Sequence, residues 1–220
     1  MNEQPFGAGK EPGEQGTIEW LMERNGFTTC SNFKHVIDKQ KSGKPGAARQ
    51  KYLMQVVRER VSGKPTPHFE TQAMTGGSEL EPMGRMAFEA LTGIMVMQTG
   101  FHKHPTIPFI GGSPDGLIDD DGGLELKCPW PSSGVHLQTL LTGMPESHIP
   151  QIQGLMMVFD RQWWKFASYD PDLPAPLDLY TQHVERDQTF IDSMLAEIIV
   201  FNKEVDAMVA KLMESAEGKI

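Results

Sequence analysis

SPDGLIDDDGGLELKCPW, residues 113–130, holds two short apolar runs on either side of an acidic, glycine-rich turn. Leu117 and Ile118 form the first run. Leu124-Glu125-Leu126-Lys127-Cys128 alternates with the two-residue period of a strand, and Asp119-Asp120-Asp121-Gly122-Gly123 supplies the turn, so the stretch predicts a β-hairpin. Residues two apart on a strand share a face. Glu125 and Lys127 therefore point one way, while Leu124, Leu126 and Cys128 point to the other side. A closed hairpin brings Asp115 beside Glu125, so that two carboxylates and an ammonium converge. Like charges held together are unfavourable unless a proton or a metal lies between them. Hard oxygen ligands favour Mg2+, with Mn2+ as a substitute. Lys127 beside such a cation would hold a water and stabilise negative charge at a phosphodiester. The bare spacing Asp-x(9)-Glu-x-Lys also fits an ordinary surface hairpin, so the flanking sequence has to decide.

Upstream, residues 18–24 read as a short helix ended by Asn25-Gly26. Thr29-Cys30-Ser31 offers N-cap hydroxyls to a second helix through Phe33, Val36 and Ile37. A helix over 47–61 turns Leu53, Val56, Val57 and Val61 toward a core. Gly76-Gly77 breaks the chain, and Ser78 starts a helix that runs to Thr92. Residues 94–98 and 107–110 read as further strands. Downstream, 149–159 fits a helix, and 163–169 and 177–184 fit strands. Phe190, Met194, Ile198, Phe201, Val205, Met208 and Leu212 recur at three- and four-residue spacing, which predicts a long amphipathic helix. Its apolar face packs on the sheet, with a subunit contact as the alternative. The order predicts one α/β (α+β) domain over residues 15–220, a central mixed β-sheet flanked by helices. Residues 1–14, polar and glycine-rich, are expected to be disordered.

Composition bounds the function. No apolar run approaches the roughly 20 residues that cross a bilayer, and the polar N-terminal stretch has no signal-peptide pattern, so no membrane partner and a cytoplasmic location are expected. Cys30 and Cys128 are far apart, which excludes a four-cysteine metal site within this chain. The net charge of −9 argues at first against a polyanion partner. Between Lys34 and Lys64, however, nine lysines and arginines face only Asp38 and Glu59. A locally basic face on an acidic body can steer a phosphate backbone, although a solvated lysine-rich helix and loop is the plainer reading of that run.

Ser113-Pro114-Asp115-Gly116-Leu117 followed by Gly123-Leu124-Glu125-Leu126-Lys127-Cys128-Pro129 closely resembles the active-site stretch of the lambda-exonuclease-like, YqaJ-type viral recombinase nucleases, within the PD-(D/E)xK superfamily. The resemblance extends along nearly the whole chain. Trp20-x-x-x-Arg24 with Thr29-Cys30-Ser31 is similar to the N-terminal motif of that family. Gly77-x-x-x-Glu81-x-x-x-Arg85 is similar to a helix bearing an active-site glutamate, and Pro150-Gln151-x-Gln153 to a glutamine-bearing helix. Trp164-x-Phe166-Ala167-x-Tyr169-Asp170-Pro171 and Val184-Glu185-Arg186-Asp187 follow in family order.

The resemblance implies a restriction-endonuclease-like core. Asp115 and Glu125 would bind Mg2+, helped by the Leu126 carbonyl. Lys127 would position the attacking water, with Glu81 and Gln151 completing the catalytic set. Arg24, Ser31 and Ser113 match positions that hold a 5′-terminal phosphate, Lys41 matches a basic DNA-contacting position, and Met74 an apolar wedge between the strands. The implied activity is processive 5′→3′ digestion of double-stranded DNA ends by two-metal hydrolysis, leaving 3′ overhangs. A homotrimeric ring, a single-strand annealing protein as partner, and a phage or prophage origin in a bacterial host go with it. Ser78-x-x-Glu81 also reads as a capping box, and Arg24 could pair with Glu19 or Glu23 at the surface. Pro82 directly after Glu81 departs from the family pattern, as does Lys41 where an arginine is usual. A sequence-specific endonuclease and a non-catalytic DNA-end clamp or recombination scaffold are the competing readings.

Overall fold

The computed structural model describes residues 15–66 and 72–217, so the expected disorder of residues 1–14 falls outside it. In chain order the elements are α1 (Ile18–Glu23), β1 (Thr28–Thr29), α2 (Phe33–Val36), α3 (Ala47–Ser62), α4 (Gln72–Thr92), β2 (His102–Lys103), β3 (Ile110–Gly112), β4 (Gly116–Ile118), β5 (Gly122–Lys127), α5 (Val135–Thr142), α6 (Ile149–Phe159), β6 (Trp163–Tyr169), β7 (Leu179–Glu185) and α7 (Gln188–Glu217).

The main sheet has the order β4-β5-β6-β7, and a smaller sheet has the order β1-β3-β2. The acidic turn closes the β4–β5 hairpin, with Gly116 opposite Leu124 and Ile118 opposite Gly122. β5 runs parallel to β6, with Glu125 beside Phe166 and Lys127 beside Ser168. A parallel pair needs a long crossover, and α5 and α6 lie on it. β7 returns antiparallel to β6. The mixed sheet expected from the sequence is present.

Helices cover both faces. Under α4, Phe88 packs on Ile118, Leu124, Leu126, Cys128, Ala167, Tyr169 and Leu179. On the opposite face, Leu117, Trp164 and Phe166 join residues of α3, α6 and α7, including Val56, Leu155 and Phe201. The apolar face of the C-terminal stretch does face this core, with Ile191, Met194, Ile198, Phe201 and Val205 buried, but α7 packs chiefly on α2, α3 and α6, where the sheet was expected. Each such side chain contributes roughly 1.5–3 kcal/mol on leaving water. Asp187 starts α7 as an N-cap, accepting from the Phe190 N–H at 2.9 Å.

Local expectations fail where packing overrides pattern. Gly76-Gly77 does not break the chain, because α4 begins at Gln72 and runs through both glycines and through Pro82. A Cβ at Gly76 would lie 2.4 Å from the Trp130 ring, one at Gly77 3.0 Å from the Cys128 carbonyl oxygen, and one at Gly84 3.2 Å from the Cys128 Sγ. These glycines let the helix lie directly on the end of β5. Glu81 is therefore a mid-helix residue, and the capping-box reading of Ser78 and Glu81 falls. Residues 94–98 are not a strand and make one bridge, Met97 to Leu117. The strand expected over 107–110 instead begins at Ile110. Thr29 makes no capping hydrogen bond to the turn that follows it. It extends β1, which pairs in parallel with β3.

Candidate active site

The site lies at the C-terminal end of β5, on the face that carries Glu125 and Lys127. Asp115 immediately precedes β4, and the register extends to set it opposite Glu125. Its Oδ2 accepts the Leu126 N–H at 2.7 Å, which fixes the carboxylate against the strand. Glu125 is fully buried, with 0% exposure. Neither of its carboxylate oxygens accepts a well-directed hydrogen bond. It is in ion-pair contact with Lys127, whose side chain is 36% exposed. The predicted convergence of Asp115, Glu125 and Lys127 is thus formed.

The electrostatics follow from this crowding. Burial pushes Glu125 up, opposed by Lys127 and reinforced by Asp115 and Glu81, to about 8. Burial also raises Asp115, against the pull of Lys127, the Leu126 N–H and Arg85. Lys127 is pulled down by burial, but Glu125, Asp115 and Glu81 outweigh that and hold it above the ordinary lysine range. Glu81, half-buried on α4, belongs to this cluster through those interactions. Burial, with Glu81 and Asp115, pushes the Cys128 thiol to about 12 and leaves it inert, a small buried packing residue.

A hard cation fits these donors. A buried carboxylate with no well-directed hydrogen bond is costly alone. Asp115 and Glu125, with the Leu126 carbonyl, offer the one or two carboxylates that Mg2+ takes while keeping several waters. Among the described residues no group of three or more His, Cys, Asp or Glu side chains forms an all-protein metal cage.

Beside this centre lies a second cluster. Trp20 donates from Nε1 to the Ser113 Oγ at 2.8 Å, two residues before Asp115. The Arg24 guanidinium lies 4.1 Å above the Trp20 ring. Its Nη2 reaches the Thr29 hydroxyl at 3.3 Å and the Ser31 hydroxyl at 3.4 Å. Arg24 thus forms no surface pair with Glu19 or Glu23, and among the described residues no carboxylate lies in ion-pair range of it. The predicted trio Arg24, Ser31 and Ser113 is gathered by Trp20, a residue whose structural part the sequence reading did not assign.

Gln151 sits half-buried in the first turn of α6. Its neighbour Gln153 is a strut: Nε2 donates to the Glu185 carbonyl at 2.8 Å, and Oε1 accepts the Asp187 N–H at 2.9 Å. Lys41 is exposed in the loop before α3 and has no contact to the cluster. The Met74 backbone lies in α4, and its side chain falls outside the described residues. His148, which no spacing singled out, stands at the N-cap of α6 with its ring 5.2 Å from that of Phe166.

Residues 19–162 match the model of the YqaJ-like viral recombinase domain. The structure is similar to an alkaline exonuclease, LHK-Exo, from Laribacter hongkongensis, with 35% identity, 93% of this chain and 100% of that one covered, and a TM-score of 0.85. LHK-Exo in complex with dAMP gives the same values. A phage related exonuclease from Haemophilus somnus 129PT shares the fold, at 16% identity, with 84% of this chain and 96% of that one covered and a TM-score of 0.65. Among curated proteins, none matches the chain significantly. With a family model spanning well over half of its length and a relative 35% identical along nearly all of it, the chain belongs to the YqaJ-like viral recombinase family, a family of recombination nucleases.

Proposed function

We propose that this protein is a Mg2+-dependent exonuclease that digests double-stranded DNA from its 5′ ends, processively, and leaves 3′ single strands for annealing. The observation that carries the reading is the buried Glu125 carboxylate, without a well-directed hydrogen bond and set beside Asp115 and Lys127. So costly an arrangement is expected where charge must be handled during a reaction.

Asp115 and Glu125 would hold one or two magnesium ions with the Leu126 carbonyl. The bound metal supplies Lewis-acid stabilisation and a more acidic water. The Lys127 ammonium lies where it can hold the attacking water by hydrogen bond and offset the charge that builds on the phosphoryl oxygens. Glu81 and Gln151 would orient water and substrate from α4 and α6. Attack on phosphorus with departure of the 3′ oxygen frees a nucleoside 5′-monophosphate and leaves a new 5′-phosphate on the shortened strand. LHK-Exo, the 35%-identical relative, is recorded with dAMP, a mononucleotide.

Arg24, Ser31 and Ser113 support the end preference. A terminal phosphate carries more charge than an internal one, and a guanidinium with no carboxylate partner among the described residues answers it. Each cleavage regenerates that phosphate, which favours repeated rounds at one end. A homotrimeric ring would keep the duplex captive between rounds, and a single-strand annealing protein would take up the exposed strand.

The test uses linear duplex labelled at either its 5′ or its 3′ end, alongside closed circles, with Mg2+ or EDTA. Early Mg2+-dependent release of the 5′ label, with circles intact, is the expected result. Early release of the 3′ label would reverse the polarity. Cutting of circles would point to an endonuclease, and absence of cleavage with end binding retained would leave a clamp.

A further inference from the structure

His148 lies on the same side of the main sheet as the catalytic pair. Its ring centroid is 5.2 Å from that of Phe166, and Phe166 is the direct β6 neighbour of Glu125. Residues so paired across adjacent strands share a face. His148 also stands three positions before Gln151, which sets the two one above the other at the start of α6. The ring is half-buried. The ring meets that of Phe166 and feels the charges of Lys127 and Lys34, and neither ring nitrogen has a hydrogen-bond partner among the described residues.

A half-buried imidazole in the field of two ammonium groups is poorly placed as a cation. Burial, then Lys127 and Lys34, lower its pKa to about 4, so it is neutral at working pH. A neutral ring still carries one N–H donor. A donor with no acceptor among the described residues, in the field of two cations, suits an anion. The ring stands by Phe166, the strand neighbour of Glu125, so the anion belongs beside the reacting group and not at the Arg24 cluster.

We propose that His148, set by Phe166 next to Glu125 and one turn before Gln151, is a substrate-contacting residue that donates a hydrogen bond to a backbone phosphate of the strand being cut. Phe166 holds the ring plane, so the donor is oriented before DNA arrives. Arg24 grips the terminal phosphate, and His148 receives an internal one. This assignment rests on the exonuclease reading above.

The experiment compares wild type, His148→Phe and His148→Asn on 5′-phosphorylated linear duplex under single-turnover conditions. Thermal unfolding is recorded for each. His148→Phe keeps the aromatic contact with Phe166 and removes the donor, whereas His148→Asn keeps a donor. The expected result is a roughly 10–100-fold slower cleavage for the phenylalanine variant, with substantial rescue by asparagine, since a hydrogen bond to a charged group is worth about that factor. A neutral methylphosphonate at one of the first three internal linkages should slow wild type and abolish its difference from His148→Phe. Equal rates for wild type and the phenylalanine variant would overturn the assignment. So would parallel losses in both variants that track their unfolding temperatures, or a phenylalanine deficit that no methylphosphonate position removes. An inactive wild type would instead count against the exonuclease reading itself.

Discussion

Leu124 and Leu126 of β5, with Cys128 just beyond it, lie under α4 against Phe88 and Tyr169, whereas on the other face Glu125 is buried as deeply and Lys127 reaches partly to solvent. The first face is built as a core should be, apolar and closely packed, with Gly77 and Gly84 bringing the helix down onto it. The second keeps a carboxylate at 0% exposure whose nearest compensation is a lysine and whose neighbours include two more carboxylates. One strand thus holds a face that stabilises the molecule and a face that costs it stability. The difference teaches where the chemistry is: the side of β5 that lowers stability is the side assigned to the reaction.

The comparison breaks most sharply under substitution of Lys127. Lys127→Ala should reduce single-turnover cleavage roughly 10³–10⁴-fold while the protein stays folded, because it removes the group proposed to orient water and offset transition-state charge. Single-turnover rates with circular dichroism check both halves of that statement. Phe88→Ala strikes the opposite face. It should cost about 3–5 kcal/mol of stability and leave the rate per folded molecule within a few-fold, as denaturant unfolding and active-fraction titration would reveal.

A subtler consequence concerns pH. The Glu125 carboxyl is raised from 4.5 to about 8, so the folded state holds a proton that the unfolded chain releases. Its contribution is favourable below pH 4.5 and is lost as pH rises through 8. His148 is lowered from 6.5 to about 4 and acts with the opposite sign, because protonation of the unfolded chain costs stability as pH falls below 6.5. Between pH 6.5 and 8 the Glu125 effect stands clear of that one. Unfolding temperatures in EDTA should fall for wild type across that window and change much less for Glu125→Gln. Parallel curves would mean that the carboxylate is not held at such cost. The smallest effect belongs to the Arg24 cluster. Arg24→Ala should slow digestion of 5′-phosphorylated ends roughly 10-fold and barely alter that of 5′-hydroxyl ends, as a competition between the two substrates would measure.

What the sequence disclosed follows the same division. Period-two alternation through residues 124–128 and three-four spacing through 190–212 are strong local signals, and both set the faces they indicated except at Leu212, which is exposed. Asp115, Glu125, Lys127, Arg24, Ser31 and Ser113 were all legible from motif order. Gly76-Gly77 misled because a glycine pair signals a turn unless another element lies close enough to exclude a Cβ, which no local pattern reveals. The two-residue β1 depends on β3, more than 80 positions away, and could not be seen locally. α5 and its buried His136, bonded to Ser168 at 2.8 Å and to the Leu177 carbonyl at 2.8 Å, also escaped notice. His148 carries no motif spacing, and its meaning depends on its ring meeting Phe166 beside Glu125.

The central claim is that the charged face of β5 exists to hold a divalent cation for phosphodiester cleavage. Calorimetric titration of Mg2+ and Mn2+ into wild type and Glu125→Gln, without DNA, tests it most directly. The account predicts saturable binding to wild type, a matching rise in unfolding temperature, and loss of both in the glutamine variant. Equal binding by the two proteins, or none by a wild type that still cleaves DNA, would contradict it.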